Sequence, residues 1–246
     1  MINAFRRFSG LFLAAGLVLF AACNPKLSNG LRKKDLGRDV EVITTRGTLV
    51  IRLSDSTPLH RDNLLLLAKK GFYDSLLFHR VIRNFMIQSG DPGSREGRRD
   101  SSWGKPLSQG GKSGPGYKVP AEIRPELFHH RGALGAAREN DDVNPTRASS
   151  GSQFYIVQGK RFTDGGLDSL ETYRLKGRKI PAAHRAVYKT IGGSPHLDQA
   201  YTVFGEVIRG MEVVDSIASA ETSGPPLDRP KKEIRILKMR LISRNK

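Results

Sequence analysis

The run Phe78-His79-Arg80-Val81-Ile82-Arg83-Asn84-Phe85-Met86-Ile87-Gln88-Ser89-Gly90-Asp91-Pro92 constrains this chain more than any other stretch. It reads as two short apolar strands with a turn at Arg83-Asn84, and it ends in Gly-Asp-Pro, a turn signal. A histidine, an arginine and a glutamine interrupt residues that otherwise suit a sheet core. Burying an unpartnered amide costs roughly 2–7 kcal/mol, and a charge costs more. These polar groups are therefore paired inside the fold or face a site.

The rest of the chain supplies further strands and a few helices. Val40 to Thr45 and Thr48 to Leu53 alternate and are joined by Arg46-Gly47, which predicts a hairpin. Thr57 offers an N-cap with Pro58 at the first helical position. Leu64, Leu67 and Ala68 then give an apolar stripe that Gly71 ends. Residues 92–117 are rich in Gly, Ser and charge and read as loop. The run Gly110-Gly111-Lys112-Ser113 is not a phosphate loop, because its spacing is wrong, no strand leads in and no helix follows. Gly132-Ala133-Leu134-Gly135-Ala136-Ala137-Arg138 is a strand of small residues, a floor that another backbone can approach. Met211, Val214, Ile217 and Ala218 recur at helical spacing, and residues 233–242 supply a last strand.

Two polar stretches interrupt this order, near 139–150 and 160–195. The second carries eight Lys and Arg against three Asp and Glu. Leu167, Leu170 and Arg174 mark one short helix there; Pro181 to Ile191 marks another, stopped by Gly192-Gly193. Its apolar content is too low to bury a core of its own, so it is expected to pack on the main fold.

The Phe78 to Asp91 stretch resembles the signature of the cyclophilin family of peptidyl-prolyl isomerases, F-H-R-V-I-x-x-F-M-x-Q-x-G-D. Gly151-Ser152-Gln153-Phe154-Tyr155-Ile156-Val157 is similar to the same family, as are Tyr117 to Glu122, His196-Leu197-Asp198 and Tyr201 to Ile208. The likeness covers roughly residues 39–243, with the two insertions between. It implies a mainly β fold: a closed antiparallel eight-stranded β-barrel capped by two helices, here with a helical insertion. It also implies rotation about X-Pro peptide bonds, proline-containing polypeptides as substrates, a monomer, and no cofactor or metal.

Residue by residue, the resemblance makes Arg80 and Gln88 catalytic. It places Phe85, Met86, Tyr155 and Leu197 around the substrate proline, and Gln153 and Ala137 beside the residues before it. Arg138 and Tyr201 fall at the rim. Taken alone, Arg80 is explained equally well as a structural arginine paired with a carboxylate such as Glu122, and the apolar positions as ordinary core. Alternation does put Met86 and Gln88 on one face. The chain departs from the family pattern at Tyr155, often phenylalanine there, and at His196, a tryptophan in eukaryotic members. It also departs at Tyr201, usually histidine, and at Arg138, usually asparagine. A non-enzymatic module that binds proline-containing peptides is the alternative function on the same fold.

The N-terminus carries its own signals. Arg6-Arg7 precede a short apolar run, Leu11 to Ala22, which suits a signal peptide of the general secretory route and falls short of the roughly 20 residues a spanning helix needs. Cys23, the only cysteine, follows Phe20-Ala21-Ala22 and resembles the acylated cysteine of a bacterial lipobox, with Phe20 where leucine is usual. The organisation expected is a signal peptide over 1–22, a lipid-anchored linker over 23–38, and an isomerase domain over 39–246 in the cell envelope, facing the periplasm. With no further cysteine, no disulfide holds that domain. The formal charge of +17 would suit nucleic acid or an anionic membrane. However, no nucleic-acid motif accompanies it and no basic run alternates with aromatics, so it reads as a solvated basic surface with no nucleic-acid partner.

Overall fold

Strand alternation builds most of this chain, and its first product is the expected hairpin of β1 (Arg38–Thr44) and β2 (Gly47–Leu53). The computed structural model describes residues 30–95 and 114–244. The expected signal peptide, Cys23 and the Gly110-Gly111-Lys112-Ser113 run lie outside the described residues. Register runs from Val40 opposite Ile51 to Thr44 opposite Gly47, so the turn is Thr45-Arg46, one residue earlier than the sequence suggests. Gly47 opens β2 at a φ of +128°, a conformation side-chain-bearing residues avoid.

Helix α2 (Pro58–Lys69) follows, with Leu64, Leu65, Leu67 and Ala68 buried. Its cap is not the one expected. The Thr57 side chain makes no bond to a helix amide. The Glu122 carboxylate takes that place, accepting from the amides of Leu59 (3.1 Å) and His60 (3.0 Å) and lying 2.7 Å from His60 Nδ1. A carboxylate there satisfies orphan amides and opposes the positive end of the helix dipole.

Next come β3 (Arg80–Ile82) and β4 (Met86–Ser89), turned through Asn84 at a φ of 62°. The later strands are β5 (Lys118–Val119), β6 (Ala133–Ala136), β7 (Ser149–Ser150), β8 (Phe154–Val157), β9 (Val203–Arg209) and β10 (Ile236–Ser243), with helix α5 (Met211–Ala218) between the last two. Eight of them form one curled antiparallel sheet in the order β10-β1-β2-β9-β6-β8-β4-β3; β5 and β7 pair separately. Ahead of the edge strand β3, the Ser75 and Phe78 amides donate to the carbonyls of Ile236 and Ile234, and the Ile236 amide donates to Leu76.

The sheet has two apolar faces. Val81, Ile87, Ile156 and Leu134 turn to the main core, where α2 and α5 contribute Leu64, Leu65, Val214 and Ile217. The residues between them, Met86, Tyr155, Val157 and Ala133, gather a smaller cluster with Leu197 and Val203 on the other face.

The 160–195 stretch is helical, as expected: α3 (Asp164–Tyr173) and α4 (Ala182–Thr190). Leu167, Ile180 and Tyr188 are buried together and packed by Phe128 and Phe162. Glu171 ties the two helices: its carboxylate accepts from Lys179 (2.8 Å), from the Ile180 amide (3.0 Å) and from Arg185 (2.9 Å). At the other end, within the stretch read as linker, a short helix α1 (Lys33–Leu36) lies on α2, Leu31 is buried, and Asp35 accepts from Lys69 at 2.7 Å. Among the described residues no helix is long and apolar enough to cross a membrane.

Burial raises the Glu122 pKa, but the bonds from His60 and Leu59 outweigh it and hold the carboxyl below its ordinary 4.5. A group with a lowered folded pKa stabilises the fold above its unfolded value and loses that contribution as pH falls. Glu122→Gln is expected to lower the unfolding free energy by roughly 1–3 kcal/mol at neutral pH. The gap from wild type should narrow as pH falls below 4.5, and urea unfolding at neutral and at acidic pH measures it.

Candidate active site

The site is built by register. Arg80 in β3 stands opposite Gln88 in β4, Gln88 opposite Tyr155 in β8, and Tyr155 opposite Gly135 in β6. One cross-strand row therefore lines up the guanidinium, the amide and the ring on the outer face of the sheet. Gly135 is where that row makes room: a Cβ there would overlap the Tyr155 ring. The small-residue strand is expected to form a floor for another backbone; at Gly135 the Tyr155 ring occupies that space.

These residues surround a cavity of about 360 Å³. Arg80, Gln88, Phe85, Met86, Ala137, Arg138, Tyr155, Leu197 and Tyr201 all line it. Gln153 does not; buried behind the lining, its Oε1 accepts from Gln88 Nε2 at 2.9 Å and fixes that amide. The backbone of Ala137 is already used, since its amide donates to Gln153 and its carbonyl accepts from Ser150. His79 stays outside the lining, fully buried. Burial pushes its pKa down to about 4 although Asp91 pulls the other way, so it is neutral at pH 7.

Arg80 has a carboxylate neighbour, but not Glu122. Its Nε lies 3.6 Å from Asp228, while Glu122 is committed to α2. Asp228 is positioned by the loop before β10, where its carbonyl accepts from the Val81 amide. Arg138 is tied by Asp141 (2.6 Å) and by the Ala200 carbonyl (2.9 Å), and its guanidinium carbon stacks 4.4 Å from the centre of the Tyr201 ring.

Four groups to which sequence reading gave no site role complete the site. Asn140, Arg174 and Pro226 join the lining, and His196 packs on Phe85 with ring centres 5.2 Å apart. Asn140 and Arg174 come from the insertions: Asn140 carries no period or motif, and Arg174 is marked only as part of a short helix, with nothing to place it at the cavity. A further buried chain was also missed. The Tyr155 hydroxyl lies 2.8 Å from His129 Nε2, His129 Nδ1 lies 2.9 Å from Asp198, and Tyr188 of α4 donates to the other Asp198 oxygen at 2.6 Å. Burial pushes the His129 pKa down; burial raises that of Asp198, but its bonds from His129 and Tyr188 bring it below the ordinary value. The imidazole is thus neutral: Nδ1–H donates to the carboxylate, and Nε2 accepts from Tyr155. The hydroxyl that distinguishes Tyr155 from phenylalanine points away from the cavity into this chain. Among the described residues, no cluster of three or more His, Cys, Asp and Glu side chains could hold a metal ion.

The family described as cyclophilin type peptidyl-prolyl cis-trans isomerase/CLD matches residues 39–241. A protein of Staphylococcus saprophyticus named as a peptidyl-prolyl cis-trans isomerase is 32% identical over 81% of this chain and 90% of its own length. A protein of Streptococcus pyogenes named as a bifunctional phosphatase/peptidyl-prolyl cis-trans isomerase is 34% identical over 80% of this chain, which spans 37% of that relative. A crystal structure of a Cryptosporidium parvum cyclophilin-type isomerase superposes with a TM-score of 0.59 at 25% identity, covering 85% of this chain and 99% of its own. A second structure of that enzyme, obtained in the presence of the dipeptide Ala-Pro, superposes with a TM-score of 0.57.

Removing either hydroxyl of the buried chain strands an acceptor. Tyr155→Phe and Tyr188→Phe are each expected to destabilise the protein by roughly 1–3 kcal/mol. Because both act on the His129–Asp198 pair, the double variant should depart from additivity by at least about 0.5 kcal/mol in urea unfolding.

Proposed function

The chain belongs to the cyclophilin-type peptidyl-prolyl cis-trans isomerase family, and from that premise we propose how its residues divide the work and where it acts. It is an isomerase of X-Pro peptide bonds. Amide resonance sets a rotational barrier of about 18–20 kcal/mol. No bond is broken, so catalysis needs only tighter binding of the twisted peptide than of either planar form.

In the twisted state the prolyl nitrogen regains a lone pair and accepts a hydrogen bond. Arg80 is the donor: permanently charged, and held at the cavity edge by its place opposite Gln88. Asp228 neighbours Nε, and among the described residues no hydrogen bond occupies the terminal nitrogens. Phe85, Met86, Leu197 and the Tyr155 ring form the proline slot. Gln88, fixed by Gln153, positions Arg80 and meets a substrate carbonyl. Ala137 flanks the residues before proline, Gln153 acts on them only through Gln88, and Arg138 and Tyr201 form the rim. His79 takes no part, since isomerisation moves no proton. The observation that carries this reading is the convergence of the guanidinium and the apolar slot on one cavity. The Ala-Pro dipeptide present with the Cryptosporidium enzyme supports proline peptides as ligands. A non-enzymatic peptide module is not favoured, since the relatives are named as isomerases. The backbone bonds of Ser75, Leu76 and Phe78 with Ile234 and Ile236 support reading the curled sheet as the closed barrel.

We place the enzyme in the bacterial cell envelope, anchored through acylated Cys23, with exported proteins as its substrates. The support is the apolar run ending at Ala22 and the lone cysteine that follows. If Cys23→Ala leaves the chain as firmly in the membrane fraction as wild type, the anchor is wrong.

Full-length chain in detergent should accelerate cis–trans exchange of a blocked Ala-Pro tetrapeptide. Arg80→Ala should reduce kcat/KM by about 10²–10³-fold, as loss of a transition-state donor does elsewhere. Unchanged thermal unfolding of the variant would separate this loss from misfolding. Equal rates for the two proteins would remove Arg80 from the mechanism.

A further inference from the structure

Cationic side chains surround the cavity, yet they are not equivalent. Its charged lining consists of Arg80, Arg138 and Arg174, with no carboxylate among the lining residues. Asp228 neighbours Arg80 and Asp141 holds Arg138 at 2.6 Å. Among the described residues Arg174 pairs with no carboxylate, and its side chain is exposed. Among the described residues, Arg174 is therefore the charge of the lining with no carboxylate beside it.

Its position is anchored. Arg174 caps the C-terminal end of α3, its amide bonded to Leu170 at 3.0 Å. Leu170 and Leu175 on either side pack into the insertion's apolar cluster. Four residues on, Arg178 donates to the Asp198 carbonyl at 2.9 Å, which fastens the insertion to the chain segment that supplies Leu197 and His196. Beside it His196 is uncharged at neutral pH: burial first, then Arg174 and His129, push its pKa down to about 4. The rim nearest Arg174 thus offers one fixed cation and a neutral ring.

We propose that Arg174 makes this isomerase selective for proline segments that carry an acidic side chain within two residues of the proline. The proposal rests on the isomerase reading of the cavity and adds a preference to it. A substrate carboxylate would supply the partner that the fold gives to the other two arginines and withholds from this one. Exposure keeps the effect modest, because exposed ion pairs contribute only about 0.2–1 kcal/mol, equivalent to about 1.4- to fivefold in rate constant.

The test uses the full-length protein and amide-blocked tetrapeptides containing Ala-Pro, with Glu, Gln or Lys placed in turn at each flanking position. At low salt, kcat/KM for Glu at the favoured position should exceed that for Gln by about two- to fivefold, and Lys should fall below Gln. The Glu-to-Gln ratio should shrink toward one in Arg174→Ala, invert in Arg174→Glu, and collapse in about 1 M salt, where the screening length falls to about 3 Å. A ratio near one in wild type, or one that survives in Arg174→Glu, would overturn the proposal while leaving the isomerase intact. Discrimination by an unblocked C-terminal carboxylate, with none by a Glu side chain, would assign the site to chain ends and overturn it as well. No acceleration of any peptide by folded protein would bring down the isomerase reading and the preference together.

Discussion

The site depends on the two-residue period of four neighbouring strands being in register. Arg80, Gln88, Tyr155 and Gly135 occupy one row across β3, β4, β8 and β6, while Val81, Ile87, Ile156 and Leu134 form the adjacent row on the opposite face. One residue of slippage would carry the guanidinium into the main core and expose a line of branched apolar side chains. Core packing and site geometry are therefore the same constraint seen from two faces. Gly135 is the weak point of that arrangement and its enabling feature, since the ring of Tyr155 lies where any other residue would place its Cβ.

Polar groups behind the row hold it still. Gln153 fixes Gln88, and the chain from Tyr188 through Asp198 and His129 fixes the Tyr155 ring. Each of these side chains is buried. Each chain member is also hydrogen-bonded, which is the condition under which a buried polar network stiffens a fold rather than weakening it. The proposed mechanism, a preorganised donor beside a shaped slot, requires such stiffness, because reorganisation at the moment of reaction is what it must avoid. The insertion is part of this support: Tyr188 and Arg178 reach from it to Asp198, so it shares hydrogen bonds with the floor of the slot.

Much of this could be read from local pattern. The hairpin, α2, α5 and both helices of the insertion follow from periodicity and turn residues. The candidate residues around Arg80 and Tyr155 follow from two short stretches that resemble a known family. The failures share one cause. Thr57 looked like the cap of α2, but Glu122 reaches the amides from 62 residues away. Glu122 looked like a partner for Arg80, but Asp228 holds that position from the far end of the chain. Gln153 meets Gln88 from one layer behind the cavity lining, a placement its spacing along the chain does not reveal.

By itself, then, the sequence determined what is periodic or contiguous: which residues alternate, where helices begin and stop, and which runs carry arginine and glutamine inside apolar strands. Those properties depend on neighbours within a few positions, where backbone geometry dictates which side chains share a face. Only the tertiary structure decided which carboxylate meets which cation, where the Tyr155 hydroxyl finds an acceptor, and that among the described residues Arg174 meets no carboxylate at the cavity. Such pairings depend on distances closed by folding between residues far apart in the chain. Spacing along the sequence carries no record of them, and an arginine in an insertion reads the same whether it faces solvent or substrate.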